Sequence, residues 1–260
     1  MAETIQIARQ GSGLPLVLIH GWGLNSAVWQ PLSEKLVHHY EVIRVDLPGF
    51  GQNIEHSLSP YSIDNIAQQI VAAVNQPAVY IGWSLGGLVA SKISSVYPEQ
   101  SLGLVSVASS PLFIAKDEWP GIKPELLAGF HQQLANDIRK TIDGFLKIQA
   151  MGSPHIRQDI KVLRSLIMQQ PTPSRATLDD SLALLETVDL RNSLALIKQP
   201  FLRLYGRLDT LVPERVSALV SELAPMSEQH VFDKASHAPF ISHPEAFLDT
   251  VNAWLKQKFD

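Results

Sequence analysis

The chain of 260 residues contains no cysteine. Disulfides, thiolate nucleophiles and cysteine-ligated metals are therefore excluded. A cysteine-free chain is compatible with a reducing compartment. Long apolar runs are also missing, and none approaches the roughly 20 residues that a membrane span needs. There is no excess of positive charge. The 21 Lys and Arg residues face 25 Asp and Glu, giving a net charge of −4. Neither nucleic acid nor an anionic membrane is expected as a partner. The opening stretch, MAETIQIARQGSG, lacks a basic segment followed by an apolar one. No signal peptide and a cytoplasmic location are the expectations. H-E-x-x-H and Walker A patterns do not occur, and GFGQNI at 49–54 lacks the third glycine of a dinucleotide fingerprint. The nine histidines are scattered, apart from the His38-His39 pair. No metal and no cofactor are expected.

What is present is a repeating pattern. The runs PLVLIHG (15–21), YEVIRVDLPG (40–49), AVYIGWS (78–84) and LGLVSVASS (102–110) are rich in Val, Ile and Leu. Stretches such as NSAVWQPLSEKLVHHY and SIDNIAQQIVAAV lie between them and suit helices. Near-continuous apolar strands alternating with helices predict an α/β fold, with a mostly parallel sheet covered on both faces. ETIQIARQ alternates and suits an antiparallel edge strand. From Pro111 to Gln199 no strand is recognisable. Ile156, Ile160, Leu163 and Ile167 instead recur at helical spacing. Strands resume at PFLRLYGRLD and EQHVFDKASH, with a closing helix near 244–258. The expectation is a core formed by 1–111 and 192–260, interrupted by a helical lid at 112–191.

Ser84 lies in G-W-S-L-G, after a predicted strand and before a predicted helix. Flanking glycines allow the tight turn that exposes a serine Oγ above a sheet. By itself the motif serves equally as a Gly-rich turn. A serine nucleophile also needs a base, a group to orient it, and donors for an oxyanion. Asp209 and His237 follow in that order, each after a predicted strand, where open α/β sheets bind ligands. Asp46 precedes the serine and leads into LPGFG, so it is read as structural. Asp233 lies too close to His237 to orient it, and His243 sits at a helix entry. The oxyanion donors are expected to be the amides of Leu85, after the nucleophile, and Trp22, in the loop His20-Gly21-Trp22-Gly23.

HGWGLNSAVW, GWSLGGLVAS, VASSP with DEWPGIKPELLAGF, FLRLYGRLD and ASHAPFISHP together resemble the pimeloyl-[acyl-carrier protein] methyl ester esterases of biotin synthesis, within the α/β-hydrolase superfamily. The resemblance runs over nearly the whole chain. It implies a serine esterase that frees a carrier-bound pimeloyl group from its methyl ester, with Ser84 as nucleophile, Asp209 as acid and His237 as base. It further implies substrate contacts at Trp22, Ser84, Leu85 and His237, and at Phe145, Leu146, Lys147, Ile148 and Gln149. An acyl carrier protein is the implied partner, and a monomer the expected state. Related chemistries on the same triad are a general short-chain carboxylesterase and a C–C bond hydrolase. A third alternative is a hydrolase fold reused as a ligand receptor.

Charge supports the carrier from a second direction. Residues 135–164 carry +3, leaving −7 for the rest. Arg157, Lys161 and Arg164 form one helical stripe, and Arg139 and Lys140 lie nearby. A solvated face with pairs such as Asp143–Lys147 is the bland explanation. The resemblance favours these five as a docking surface steered by charge. Gly144 stands where the family pattern suggests another arginine.

Overall fold

A computed structural model describes residues 4–151, 153 and 155–260. Seven strands form one sheet in the order β1-β3-β2-β4-β5-β6-β7. They are β1 (Ile7–Gln10), β2 (Pro15–Ile19), β3 (Glu41–Val45), β4 (Ala78–Trp83), β5 (Ser101–Val107), β6 (Phe201–Gly206) and β7 (Glu228–Phe232). β1 pairs antiparallel with β3, and every other pairing is parallel. The central strands β4 and β6 are buried along their whole length, which is why they read as continuous apolar runs. β1 has only partly buried and exposed residues, as its edge position allows.

Successive side chains of β2 enter opposite faces of the sheet. Val17 and Ile19 join one apolar cluster, while Leu16 and Leu18 join the other. Helices α2 (Ile63–Val74), α3 (Leu85–Val96) and α8 (Arg215–Leu223) cover the first face. α1 (Gln30–Leu36) and α10 (Pro244–Phe259) cover the second, with the short α9 (Pro239–Ser242). The single helix expected around residues 25–40 is in fact a 3-10 turn, Ser26–Trp29, followed by α1. His38 and His39 lie beyond its end.

Between β5 and β6 the chain adds no strand to the sheet among the described residues. It builds α4 (Pro124–Asn136), α5 (Ile138–Ala150), α6 (Ile156–Ile167) and α7 (Arg175–Thr187). Residues 112–123 are irregular and held by isolated bridges, among them Leu112 to Asp189. Asp137 ends α4 and caps α5, its side chain accepting from the Lys140 amide at 3.0 Å. Ser174 caps α7 in the same way, through the Thr177 amide at 3.1 Å. These helices enter both apolar clusters, Phe130, Phe145 and Leu178 the first and Leu146 and Leu163 the second. On α6, Leu163 is buried, but Ile156 is exposed and Ile160 and Ile167 only partly covered, so the predicted apolar face is narrower than its spacing suggests. No described helix is long and apolar enough to cross a membrane.

Candidate active site

The sheet reverses its direction of growth at β2, with β3 on one side and β4 on the other. Loops leaving adjacent strands diverge at such a point and open a crevice at the carboxyl edge. Ser84 follows β4 there, and the His20–Gly23 loop follows β2. A Cβ added to Gly21 would stand 3.2 Å from the Cβ of Ser84, so this loop passes directly over the serine.

Ser84 has φ +55° and ψ −120°, a backbone conformation that non-glycine residues rarely adopt. Such a conformation costs on the order of 1–3 kcal/mol and persists only when its surroundings enforce it. They do. The Ser84 amide donates to Val107 O at 2.9 Å, and its carbonyl accepts from Ser109 Oγ at 2.8 Å and Gly87 N at 2.9 Å. The turn is so tight that a Cβ on Gly82 would lie 2.1 Å from Gly86 O. A side chain at 82 would force the elbow apart.

Asp209 lies just beyond β6 and His237 beyond β7, the two strands that follow β5 in the sheet order. His237 Nδ1 and Asp209 Oδ2 are 2.7 Å apart, both residues being buried. The other carboxylate oxygen of Asp209 accepts from the amides of Leu211 at 2.8 Å and Val212 at 3.0 Å. With Nδ1–H directed to Asp209, the imidazole keeps Nε2 free as a base. His237 Nε2 is buried and makes no hydrogen bond among the described residues. Ser84 Oγ is not bonded to it in this structure, and in unliganded sites this contact is often long until substrate binds.

The amides of Trp22 and Leu85 donate to no acceptor among the described residues. Leu85 opens α3, where the first amides have no acceptor within the helix. The loop bearing Trp22 is pinned by His20, to which the loop's sequence assigns no role of its own. Its Nδ1 bonds Gly21 O at 2.8 Å, and Nε2 accepts from the Leu47 amide at 3.0 Å. Burial pushes the His20 pKa down, against the opposing pull of Asp46 and the bond to Gly21. The ring is thereby held neutral, as its acceptor role at Nε2 requires.

The Trp22 indole donates to Leu178 O of α7 at 3.0 Å. Its ring meets Phe145 with centroids 4.7 Å apart, and Phe145 meets Phe130 at 5.4 Å. An aromatic wall therefore joins the β2 loop to α4 and α5. The segment 145–149 does not act as a unit. Phe145 faces this wall, Leu146 enters the opposite apolar cluster, Ile148 is half-buried and Lys147 is exposed. The Gln149 side chain is buried, with neither amide atom bonded among the described residues.

Arg139, Lys140, Arg157, Lys161 and Arg164 are all exposed on α5 and α6. The expected Asp143–Lys147 pair is replaced by a contact between helices. Asp143 Oδ1 accepts from Arg164 at 2.7 Å, because the packing of α5 on α6 brings them together. Arg139, Lys140, Arg157 and Lys161 have no carboxylate within 4.0 Å among the described residues. A cavity of about 350 Å³ opens beside them, lined by Gly23, Leu24, Asn25, Arg139, Arg164 and Met168 among others. A Cβ on Gly144 would make only ordinary contacts, so the site has room for a side chain that this sequence omits.

The rejected acids and base have other partners. Asp46 accepts from the amides of Ser26 at 2.6 Å and Gln52 at 3.0 Å. Asp233 lies past the end of β7, not on it, and bonds Arg207 at 2.8 Å. His243 Nδ1 lies 2.8 Å from Ser242 Oγ at the entry to α10.

The family model described as alpha/beta hydrolase fold matches residues 15–244. A pimeloyl-[acyl-carrier protein] methyl ester esterase of Aeromonas salmonicida is 50% identical over 248 residues, covering 95% of this chain and 98% of that one. The enzyme of the same name from a Klebsiella pneumoniae strain is 49% identical over 238 residues, 92% of each. Among solved structures, an esterase from Exiguobacterium antarcticum superposes with a TM-score of 0.85 at 23% identity, over 97% of this chain and 95% of its own. A Bacillus anthracis bromoperoxidase superposes at 0.81 with 22% identity, over 96% and 94%. At such identities these two show the shared fold alone.

Proposed function

The chain belongs to the pimeloyl-[acyl-carrier protein] methyl ester esterases of the α/β-hydrolase fold, and from this premise we propose that it demethylates carrier-bound pimeloyl methyl ester with Ser84, His237 and Asp209 as its catalytic triad. It is a carboxylic ester hydrolase. The single observation that carries the triad is the geometry around His237, with Nδ1 held by a buried carboxylate, Nε2 without a partner among the described residues, and the ring against Trp83, the residue before the strained serine.

The chemistry is acyl transfer in two steps. His237 Nε2 takes the Ser84 proton as Oγ attacks the ester carbonyl. The Trp22 and Leu85 amides, neither of which has an acceptor among the described residues, stabilise the oxyanion. The imidazolium returns its proton to the departing methoxy oxygen, and methanol leaves. Water, activated by the same imidazole, then attacks the acyl-enzyme. Free pimeloyl carrier and the resting serine are regenerated. Asp209 keeps the imidazole in the productive tautomer and stabilises its charged form without itself taking the proton.

Residues 112–191 act as a lid in this reading. The Trp22, Phe130 and Phe145 wall offers the methylene chain an apolar surface. Gln149 is the polar group of the 145–149 segment that is both buried and free to meet substrate. Arg139, Lys140, Arg157 and Lys161, which have no carboxylate partner among the described residues, offer an acidic carrier its counter-charge, and the cavity lined by Arg139, Arg164 and Met168 suits the approach of its acyl group.

A fluorophosphonate probe should label wild-type protein at Ser84. Ser84→Ala should lose at least about 10³-fold in kcat, with an unchanged circular dichroism spectrum. It should also fail to restore growth to a biotin auxotroph that lacks its own methyl esterase. Near-normal turnover by Ser84→Ala would sink the triad.

A further inference from the structure

His237 is held from three directions. Asp209 takes its ring nitrogen. Trp83, the last residue of β4, donates its indole N–H to His237 O at 2.7 Å. The third hold comes from outside the sheet. The His237 amide donates to Gln149 O at 3.2 Å, at the end of α5. The preceding residue, Ser236, donates its hydroxyl to Met151 O at 2.6 Å. Two consecutive residues of the base loop thus bond the C-terminal end of one lid helix.

These bonds have a physical logic. The last carbonyls of a helix lack acceptor duty within it and need outside donors. α5 ends at Ala150, and the loop at 236–237 supplies two. Ser236 is 2% exposed, so its hydroxyl has no ready exchange of Met151 O for water, although Met151 itself is 46% exposed. An unmade bond there leaves a buried hydroxyl unsatisfied. The ring bond to Asp209 and the Trp83 bond to its carbonyl fix where His237 sits at the sheet edge. The bonds to α5 fix where its backbone sits relative to the lid.

We propose that Ser236 is a positioning residue that latches the base loop to the end of α5, so that lid and base keep one register. The proposal rests on His237 being the base. Its consequence is that a displaced lid carries His237 away from Ser84, and the site works at full rate only when the lid is seated. A loss of alignment acts on turnover more than on binding, because the reacting atoms, and not the apolar wall, are displaced.

The test uses the full chain, p-nitrophenyl butyrate as a small ester, and the variants Ser236→Ala and Ser236→Thr. Ser236→Ala should lower kcat about five- to tenfold, in line with one lost hydrogen bond, and leave KM within about twofold. Ser236→Thr, which keeps the hydroxyl, should recover most of that loss. Hydrogen exchange in Ser236→Ala should quicken in residues 145–151 and 233–238 and stay unchanged in β4 and β6. The latch is overturned if kcat of Ser236→Ala equals that of wild type. It is equally overturned if the loss is not recovered by threonine and exchange rises throughout the sheet, since that is general destabilisation. Fluorophosphonate labelling separates the two levels of the argument. Equal labelling rates at Ser84 in wild type and Ser236→Ala defeat the latch and leave the triad standing. No labelling of wild type at Ser84 defeats the triad.

Discussion

Asp209 commits both carboxylate oxygens inside the fold, to His237 and to the amides of Leu211 and Val212. The lid is built differently, from helices such as α5, whose 13 residues run about 20 Å. There, Arg139, Lys140, Arg157 and Lys161 stand exposed with no carboxylate partner among the described residues. Among the described residues, the polar atoms that the sheet edge leaves free at the site are those the proposed reaction uses, His237 Nε2 and the amides of Trp22 and Leu85. The lid leaves these four cations without a carboxylate among the described residues and buries Phe130 and Phe145. Bond making at the edge demands geometry held to fractions of an ångström, which only a network anchored in the sheet supplies. Capture of a charged partner demands field and reach, which screened, mobile side chains supply.

The largest effect that would break this contrast is at the edge. Asp209→Asn keeps the shape but turns one oxygen into a donor, which cannot accept from both Nδ1–H and the two amides. The imidazole should then lose its productive tautomer. In serine proteases the equivalent change costs about 10⁴ in kcat. The expectation here is about 10³- to 10⁴-fold, equal on p-nitrophenyl butyrate and on the carrier-bound ester. A loss confined to the carrier-bound ester would put Asp209 among recognition residues and erase the contrast.

The same division governed what the sequence could reveal. The elbow was legible because its requirements are local. Gly82 and Gly86 must be small, and a strand must precede and a helix follow. The sheet was legible because β4 and β6 are buried on both faces and show as unbroken apolar runs. The order of Ser84, Asp209 and His237 was readable because each follows a strand. Contacts made across long separations were not. Nothing near His20 announces that its Nε2 caps the Leu47 amide. Nothing near Ser236 announces Met151, 85 residues earlier. In the lid, helical spacing located α6 but could not tell which of its apolar positions meets a neighbour. Charge spacing along α5 suggested Asp143 with Lys147, whereas packing of two helices pairs Asp143 with Arg164.

A smaller effect sharpens the comparison from the lid side. Lys140→Glu combined with Lys161→Glu moves the exposed face four charge units toward negative. At low ionic strength kcat/KM on the carrier-bound ester should fall about tenfold, the lower end of what steering contributes. The small ester should be hydrolysed as by wild type. Raising salt should narrow the gap, since the Debye length falls to about 3 Å at 1 M. An equal loss on both substrates, or indifference to salt, would make these lysines ordinary surface.

The smallest effect concerns the one cation of the stripe that is already engaged. Arg164 and Asp143 are each 44% exposed, so their pair contributes little to stability, about 0–1 kcal/mol. What the pair does is occupy Arg164. A carrier carboxylate that bonds this guanidinium must compete with Asp143 at 2.7 Å. Asp143→Asn removes the competing charge and keeps the side-chain volume. It should raise kcat/KM on the carrier-bound ester about twofold at low salt, a change of about 0.4 kcal/mol, and leave the melting temperature and small-ester turnover where they were. The gain should vanish at high salt. A decrease would reverse the assignment, because it would mean that Asp143 aims Arg164 at the carrier and does not restrain it. The lid would then hold one cation of this stripe in a fixed geometry, as the sheet edge holds Asp209.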